Sequence, residues 1–155
     1  MDFRLSGLDP LPFTHLFKLD DAALAARCMR RVVADSDSGY PCRVSLRDAR
    51  RGEVLLLLPF EHLPAPSPYR ASGPIFVRQD AVPSRLAPGE VPASVTRRLM
   101  SLRAYAADGT MRDADVRDGS EVAQALARMF LDPAVVAIHL HHARQGCYAC
   151  AATRA

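Results

Sequence analysis

The sequence predicts an α+β fold, with a mostly antiparallel (mixed) sheet and two to three short helices packed on it. Most segments with strand character follow one another without an intervening helix, which favours an antiparallel sheet over a doubly wound one. Asp108-Gly109 and Arg144-Gln145-Gly146 each separate two such segments and predict hairpins. The 155 residues, 49% hydrophobic and 24% charged, suit a single globular domain over residues 1–155.

The N-terminal half predicts one helix and four strands. Asp20 can cap a helix over residues 20–31, in which Leu24 and Cys28 share a face. Alternating or continuous apolar residues predict strands over 31–34, 42–46, 54–58 and 74–78. In the second of these strands Arg43 falls on the polar side. The prolines at 64, 66 and 68 predict an extended connection without strand pairing.

The C-terminal half predicts two hairpins and two helices. The first hairpin joins residues 102–106 to 111–116, and the last joins 135–142 to 147–152. Pro92 can begin a short helix that ends at Leu99. Ser120 can cap the most amphipathic helix, whose apolar face is formed by Val122, Leu126, Met129 and Phe130.

Charge and hydropathy exclude several classes of protein. Twenty basic and 17 acidic residues give a net charge of +3, too small an excess for a dedicated nucleic-acid binder. The longest apolar run, residues 54–60, is far shorter than the roughly 18 residues that a membrane span needs. The first residues show no signal-peptide pattern, so we expect a cytoplasmic protein whose four cysteines are not joined in structural disulfides.

The last predicted hairpin gathers reactive side chains on one face. His139 and His141 are separated by one residue and therefore point the same way from a strand. If residue 143 pairs with residue 146, His141 lies opposite Tyr148 and His139 lies opposite Cys150. His139, His141 and Tyr148 are then candidate catalytic groups, and His142 points to the other face.

Three interpretations of this face are open. The side chains could be hydrogen-bonded residues of the sheet without chemistry. They could form a metal-free site for a small molecule, in which histidine acts as acid, base or hydrogen-bond donor. The His-x-His pair could also give two ligands to Zn²⁺ or Fe²⁺, with a third ligand from Cys150, Cys147, Cys42 or His62.

Arginines near small residues predict an anion-binding pocket. Arg70 could clamp an anion, while Ser72 and Gly73 let the backbone approach it. If these strands neighbour the last hairpin, Arg43 and Arg70 border the histidines, an arrangement suited to a carboxylate or phosphate. The preferred function is therefore a small-molecule-binding protein or enzyme for an anionic ligand, with no cofactor required.

Two other functions are kept as alternatives. One is a non-enzymatic interaction protein that assembles as a homodimer. The other is a metal protein with His139, His141 and Cys150 as ligands. Whether any reaction is catalysed stays open at this point.

Several segments resemble a known family. They are Tyr40-Pro41-Cys42-Arg43, Ser67–Val77, Ile138-His139-Leu140-His141 and Gly146-Cys147-Tyr148-Ala149. Together they resemble a bacterial family catalogued as family 1203 of the domains of unknown function, and the resemblance covers nearly the whole chain. It implies a small, single-domain bacterial protein. It supplies no catalytic residues, because no activity is assigned to that family.

Overall fold

Eight strands in two antiparallel sheets form the framework of the protein, in a computed structural model that describes residues 2–155. The strands are β1 (Phe3–Ser6), β2 (Arg30–Val33), β3 (Val54–Leu63), β4 (Ala71–Arg78), β5 (Leu99–Tyr105), β6 (Met111–Asp118), β7 (Ala137–His142) and β8 (Tyr148–Arg154). The larger sheet has the order β1-β8-β7-β5-β6, and the smaller has the order β2-β3-β4. This arrangement confirms the α+β class and both predicted hairpins.

The described chain contains four short α-helices, more than the two to three predicted. They are α1 (Leu11–Thr14), α2 (Asp21–Ala25), α3 (Ala93–Thr96) and α4 (Val122–Met129). The Asp20 carboxylate accepts a hydrogen bond from the Ala23 N–H and caps α2 as predicted. The helix ends early because Cys28 adopts a left-handed backbone conformation with φ 57°. No helix within residues 2–155 combines the length and apolar character that crossing a membrane requires.

The main apolar core lies between α4 and the larger sheet. Val122, Leu126, Met129 and Phe130 are all buried, which confirms the predicted helix face. They pack with residues from the same side of the central strands, among them Leu102, Ile138, Leu140 and Cys150. A second core joins the smaller sheet to α1, α2 and the ring of Tyr148. The two sheets therefore meet near the start of β8.

The strand predicted over 42–46 is not formed. Cys42 makes only an isolated bridge to Phe76, and the Leu46 N–H donates to the Cys42 carbonyl across a turn. Leu46 takes a left-handed conformation with φ 53°, which ends any extended backbone. Because the turn folds inward, Arg43 is only 3% exposed rather than lying on a polar face.

Candidate functional site

Three histidine rings converge between the two sheets. His62 comes from β3, and His139 and His141 come from β7. One ring nitrogen of each lies within 4.8 Å of the corresponding nitrogen of the other two. The ring centroids of His62 and His141 are 4.9 Å apart, and those of His62 and His139 are 5.8 Å apart. His139 and His141 share one face of β7, as their spacing predicts.

A β-bulge positions His62. Glu61 pairs with Ser72 and Leu63 pairs with Ala71, so His62 is the extra residue in β3. Bulges redirect side chains and are common beside functional sites. The His62 ring stacks on the Tyr148 ring, with centroids 5.3 Å apart and planes 7° apart. β3 runs to Leu63, five residues beyond the strand predicted over 54–58, and the prolines at 64, 66 and 68 then lie in an unpaired connection as predicted.

A second bulge corrects the predicted register of the last hairpin. His141 lies opposite Tyr148 as predicted, but Leu140 then lies opposite Cys150, which leaves Ala149 as the extra residue in β8. Cys150 therefore belongs to the α4 side of the sheet and does not join the histidines. Burial raises the pKa of its thiol to about 12. All four cysteines are free, as expected.

Each of the three histidines has a buried ring nitrogen without a protein partner among residues 2–155. Nδ1 of His141 lies 3.0 Å from the Gly146 carbonyl oxygen. Because a carbonyl only accepts, that nitrogen carries the hydrogen and Nε2 carries the lone pair. Nε2 of His141, Nδ1 of His139 and Nδ1 of His62 are buried and have no hydrogen-bond partner in the described chain. Buried polar atoms are normally paired, so three orphaned nitrogens in one cluster call for an explanation.

Burial keeps these imidazoles neutral. It lowers the pKa of His139 and of His141 to about 4, and the positive charge of Arg103 and neighbouring imidazoles act in the same direction. The pKa of His62 is lowered first by burial and then by Arg103. Near pH 7 each ring therefore offers an uncharged nitrogen donor, the form in which histidine binds metals.

Tyrosines and one arginine surround the cluster. The rings of Tyr105 and Tyr148 lie 5.1 Å and 5.2 Å from the His139 ring. Burial raises the pKa of Tyr148 well above its usual value, so its hydroxyl keeps the proton. Arg103 lies directly opposite His139 in the pairing of β5 with β7. Sequence reasoning missed Arg103, because this pairing joins segments more than thirty residues apart and nothing local indicates it.

The predicted anion-binding residues do not assemble around the histidines. Arg70 forms an ion pair with Glu61 at 2.9 Å, and its side chain is 59% exposed. Ser72 pairs with Glu61. Strand alternation turns Glu61 away from Tyr148, since its neighbours Phe60 and His62 both contact that ring. The prediction that Arg70 borders the histidines was therefore wrong.

Gly73 and Arg43 also have other surroundings than expected. A Cβ at Gly73 would meet no atom within 4 Å, so no close approach requires glycine there. The Arg43 guanidinium donates from Nε to the Tyr148 carbonyl at 2.7 Å and from Nη1 to the Pro41 carbonyl. Arg43 is therefore attached to the hairpin through backbone contacts and lines a cavity with His142.

These features define a small α+β protein with a buried cluster of three histidines between its two sheets. Residues 39–154 match the family described as "Protein of unknown function (DUF1203)", and the matched range includes all three histidines. The chain belongs to this family, which confirms the resemblance. No curated protein and no solved structure is significantly similar to the chain.

Proposed function

We propose that the protein is a metal-binding protein that holds one divalent transition metal through His62, His139 and His141. The observation that carries this proposal is the convergence of one ring nitrogen from each of three neutral histidines within 4.8 Å of one another, in a cluster where every ring also has a buried nitrogen without a protein partner in the described part of the chain. Three nitrogen ligands are the set found in open zinc sites, where the fourth position takes water or substrate. The metal hypothesis thus keeps His139 and His141 and replaces Cys150 with His62.

The geometry requires only a small adjustment on metal binding. With metal–nitrogen bonds of about 2.0–2.1 Å, tetrahedral donors stand roughly 3.4 Å apart. The candidate ligand nitrogens lie within 4.8 Å of one another, so their distances exceed that value by at most about 1.4 Å. Rotation of the histidine side chains can remove a difference of this size. The contact from His141 to the Gly146 carbonyl is the kind of second contact that orients a metal-bound histidine.

The charge of the site favours an anionic partner for the metal. Three neutral imidazoles leave the charge of a divalent ion uncompensated, and Arg103 adds a further positive charge beside them. A carboxylate or phosphate on the open coordination position would balance both charges and accept a hydrogen bond from Arg103. We therefore propose a small anion as the ligand or substrate, with Arg103 in the role expected of Arg70. Such a centre would supply Lewis-acid activation of the bound group.

Metal content and affinity test the site directly. The protein is prepared without a polyhistidine tag, stripped with a chelator and titrated with Zn²⁺ and Co²⁺. We expect one equivalent of either ion, with visible cobalt bands typical of a four- or five-coordinate nitrogen site. His62→Ala, His139→Ala and His141→Ala should each weaken binding by more than about 100-fold, since loss of an outer contact alone costs about 10–100-fold.

His15 provides a matched control, because it is exposed on the 3₁₀ turn His15–Lys18 and lies outside the cluster. His15→Ala should bind both metals as the wild type does. The proposal fails if neither ion binds stoichiometrically, or if the three variants bind as tightly as the control.

Anion binding is tested on the cobalt-loaded protein. Inorganic phosphate or acetate should shift the visible cobalt bands, and Arg103→Gln should weaken that effect about tenfold, which corresponds to roughly 1.4 kcal/mol. Arg51→Gln removes an exposed charge elsewhere and should have no effect. Cobalt bands that no anion shifts would contradict the anionic partner and leave the metal site standing.

A further inference from the structure

A cavity lies on the face of β7 opposite the histidine cluster. His142 follows His141, so strand alternation turns its ring away from the histidine cluster. It lines a cavity of about 110 Å³ together with Arg43, Arg98, Cys147 and the apolar side chains of Pro41 and Phe76. Nothing in the proposed metal site uses these side chains.

Arg43 gives this cavity an uncompensated positive charge. Its side chain is buried, and within residues 2–155 it forms no ion pair with a carboxylate. Two of its nitrogens donate to backbone carbonyls, and within the described part of the chain Nη2 has no hydrogen bond to a protein acceptor. Burial lowers the pKa of Arg43 to about 10, so the group is still charged at neutral pH. A buried cation of this kind is costly unless something pairs with it.

His142 adds polar atoms that also lack partners. Its residue is 5% exposed, and both ring nitrogens are buried without a hydrogen-bond partner in the described chain. Arg98 lies beside it but is neutralised by Asp48, with Nη2–oxygen distances of 2.8 Å and 2.9 Å. Among the buried side chains that line the cavity, Arg43 and His142 therefore carry hydrogen-bonding atoms without partners in the described chain.

We propose that this cavity binds a small carboxylate of the size of acetate. The carboxylate would accept hydrogen bonds from Nη2 of Arg43 and a ring N–H of His142, and its apolar end would face Pro41 and Phe76. A cavity of about 150 Å³ holds benzene, so about 110 Å³ admits a molecule of roughly four or five non-hydrogen atoms. The apolar wall favours a carboxylate with a carbon substituent over phosphate or sulfate.

Protection of Cys147 from alkylation is the test, because this half-buried thiol lines the cavity while exposed Cys28 lies outside it. The chelated, metal-free protein is treated with iodoacetamide, and peptide mass spectrometry follows both thiols in one sample. Acetate at ten times its dissociation constant should slow Cys147 alkylation about tenfold and leave Cys28 unchanged. Because the chelated protein holds no metal, an anion bound to the metal cannot affect the alkylation rate of Cys147. A lack of protection by acetate would therefore contradict this cavity proposal and leave the metal proposal intact.

Variants and other anions complete the test. His142→Phe keeps an aromatic ring but removes both nitrogens, and should abolish protection by acetate while Arg51→Gln preserves it. This variant is preferred to Arg43→Gln, which also removes the contacts that hold Tyr148 and Pro41. Equal protection by chloride, phosphate and acetate would overturn the carboxylate assignment. Absence of protection by acetate, or protection that His142→Phe retains, would overturn the site itself.

Discussion

Acidification should destabilise the metal-free protein well before its carboxylates titrate. Burial lowers the pKa of His139 and His141 to about 4 and that of His142 to about 3. In the unfolded chain the pKa of each histidine is about 6.5. Between these values the unfolded state binds more protons than the folded state, so stability falls as the pH falls from about 6.5 towards 4.

The magnitude follows from the two pKa values of each group. For a histidine with pKa 4 folded and about 6.5 unfolded, the free energy of unfolding drops by about 2 kcal/mol between pH 7 and pH 5. The three neighbouring histidines together account for roughly 4–6 kcal/mol, a large share of the 5–15 kcal/mol that stabilises a typical domain. Carboxylates contribute little in this interval because the ordinary pKa of a carboxyl group in an unfolded chain is about 4.

Urea unfolding of the chelated protein at about pH 7, 6 and 5 measures this effect. His139→Gln removes one titrating ring and should reduce the pH dependence by about a third, whatever it does to stability at pH 7. His15 is exposed and lies outside the cluster, so His15→Gln serves as the control. A midpoint that stays constant from pH 7 to pH 5, or a slope that His139→Gln leaves unchanged, would refute the reasoning.

Three further predictions concern the free energy of unfolding, which chemical denaturation measures. Gly119→Ala places a Cβ 2.0 Å from the Val95 carbonyl oxygen and should destabilise by about 2 kcal/mol or more, whereas Gly73→Ala meets open space and should cost nothing. Leu126→Ala leaves a cavity beneath α4 and should cost about 3 kcal/mol. Asp48→Asn removes the negative charge and one of the two oxygens that accept from Arg98, and should cost about 1–3 kcal/mol, so a loss below about 0.5 kcal/mol would contradict its assigned role.

Local patterns were sufficient to predict part of the site. Alternation along a strand is a property of consecutive residues, so the shared face of His139 and His141 follows from their spacing alone. The tight turn also sets the pairing of His141 with Tyr148. The predicted pairing of His139 with Cys150 was wrong because of the bulge at Ala149. An alanine in a bulge cannot be distinguished by residue type from an alanine in a regular strand.

The remaining parts depend on contacts between distant segments. His62 reaches the cluster because the smaller sheet packs against the start of β8. The prolines that follow His62 favour an unpaired connection, so the sequence does not indicate that β3 continues to Leu63. Arg103 reaches His139 only through the pairing of β5 with β7. Periodicity carries no information on such pairings. Assembly as a homodimer and a cytoplasmic location stay predictions.

The bulge at Ala149 lies between the His141–Tyr148 pair and the Leu140–Cys150 pair of the final hairpin. Beyond it, towards the turn, the rings of His141 and Tyr148 face the histidine cluster, with centroids 5.9 Å apart. Before it, towards the base, Cys150 and Ala152 keep their alternation with the α4 core. Because the extra residue shifts the alternation of β8 by one position, residues near the turn can change without altering the alignment of the strands with the α4 core.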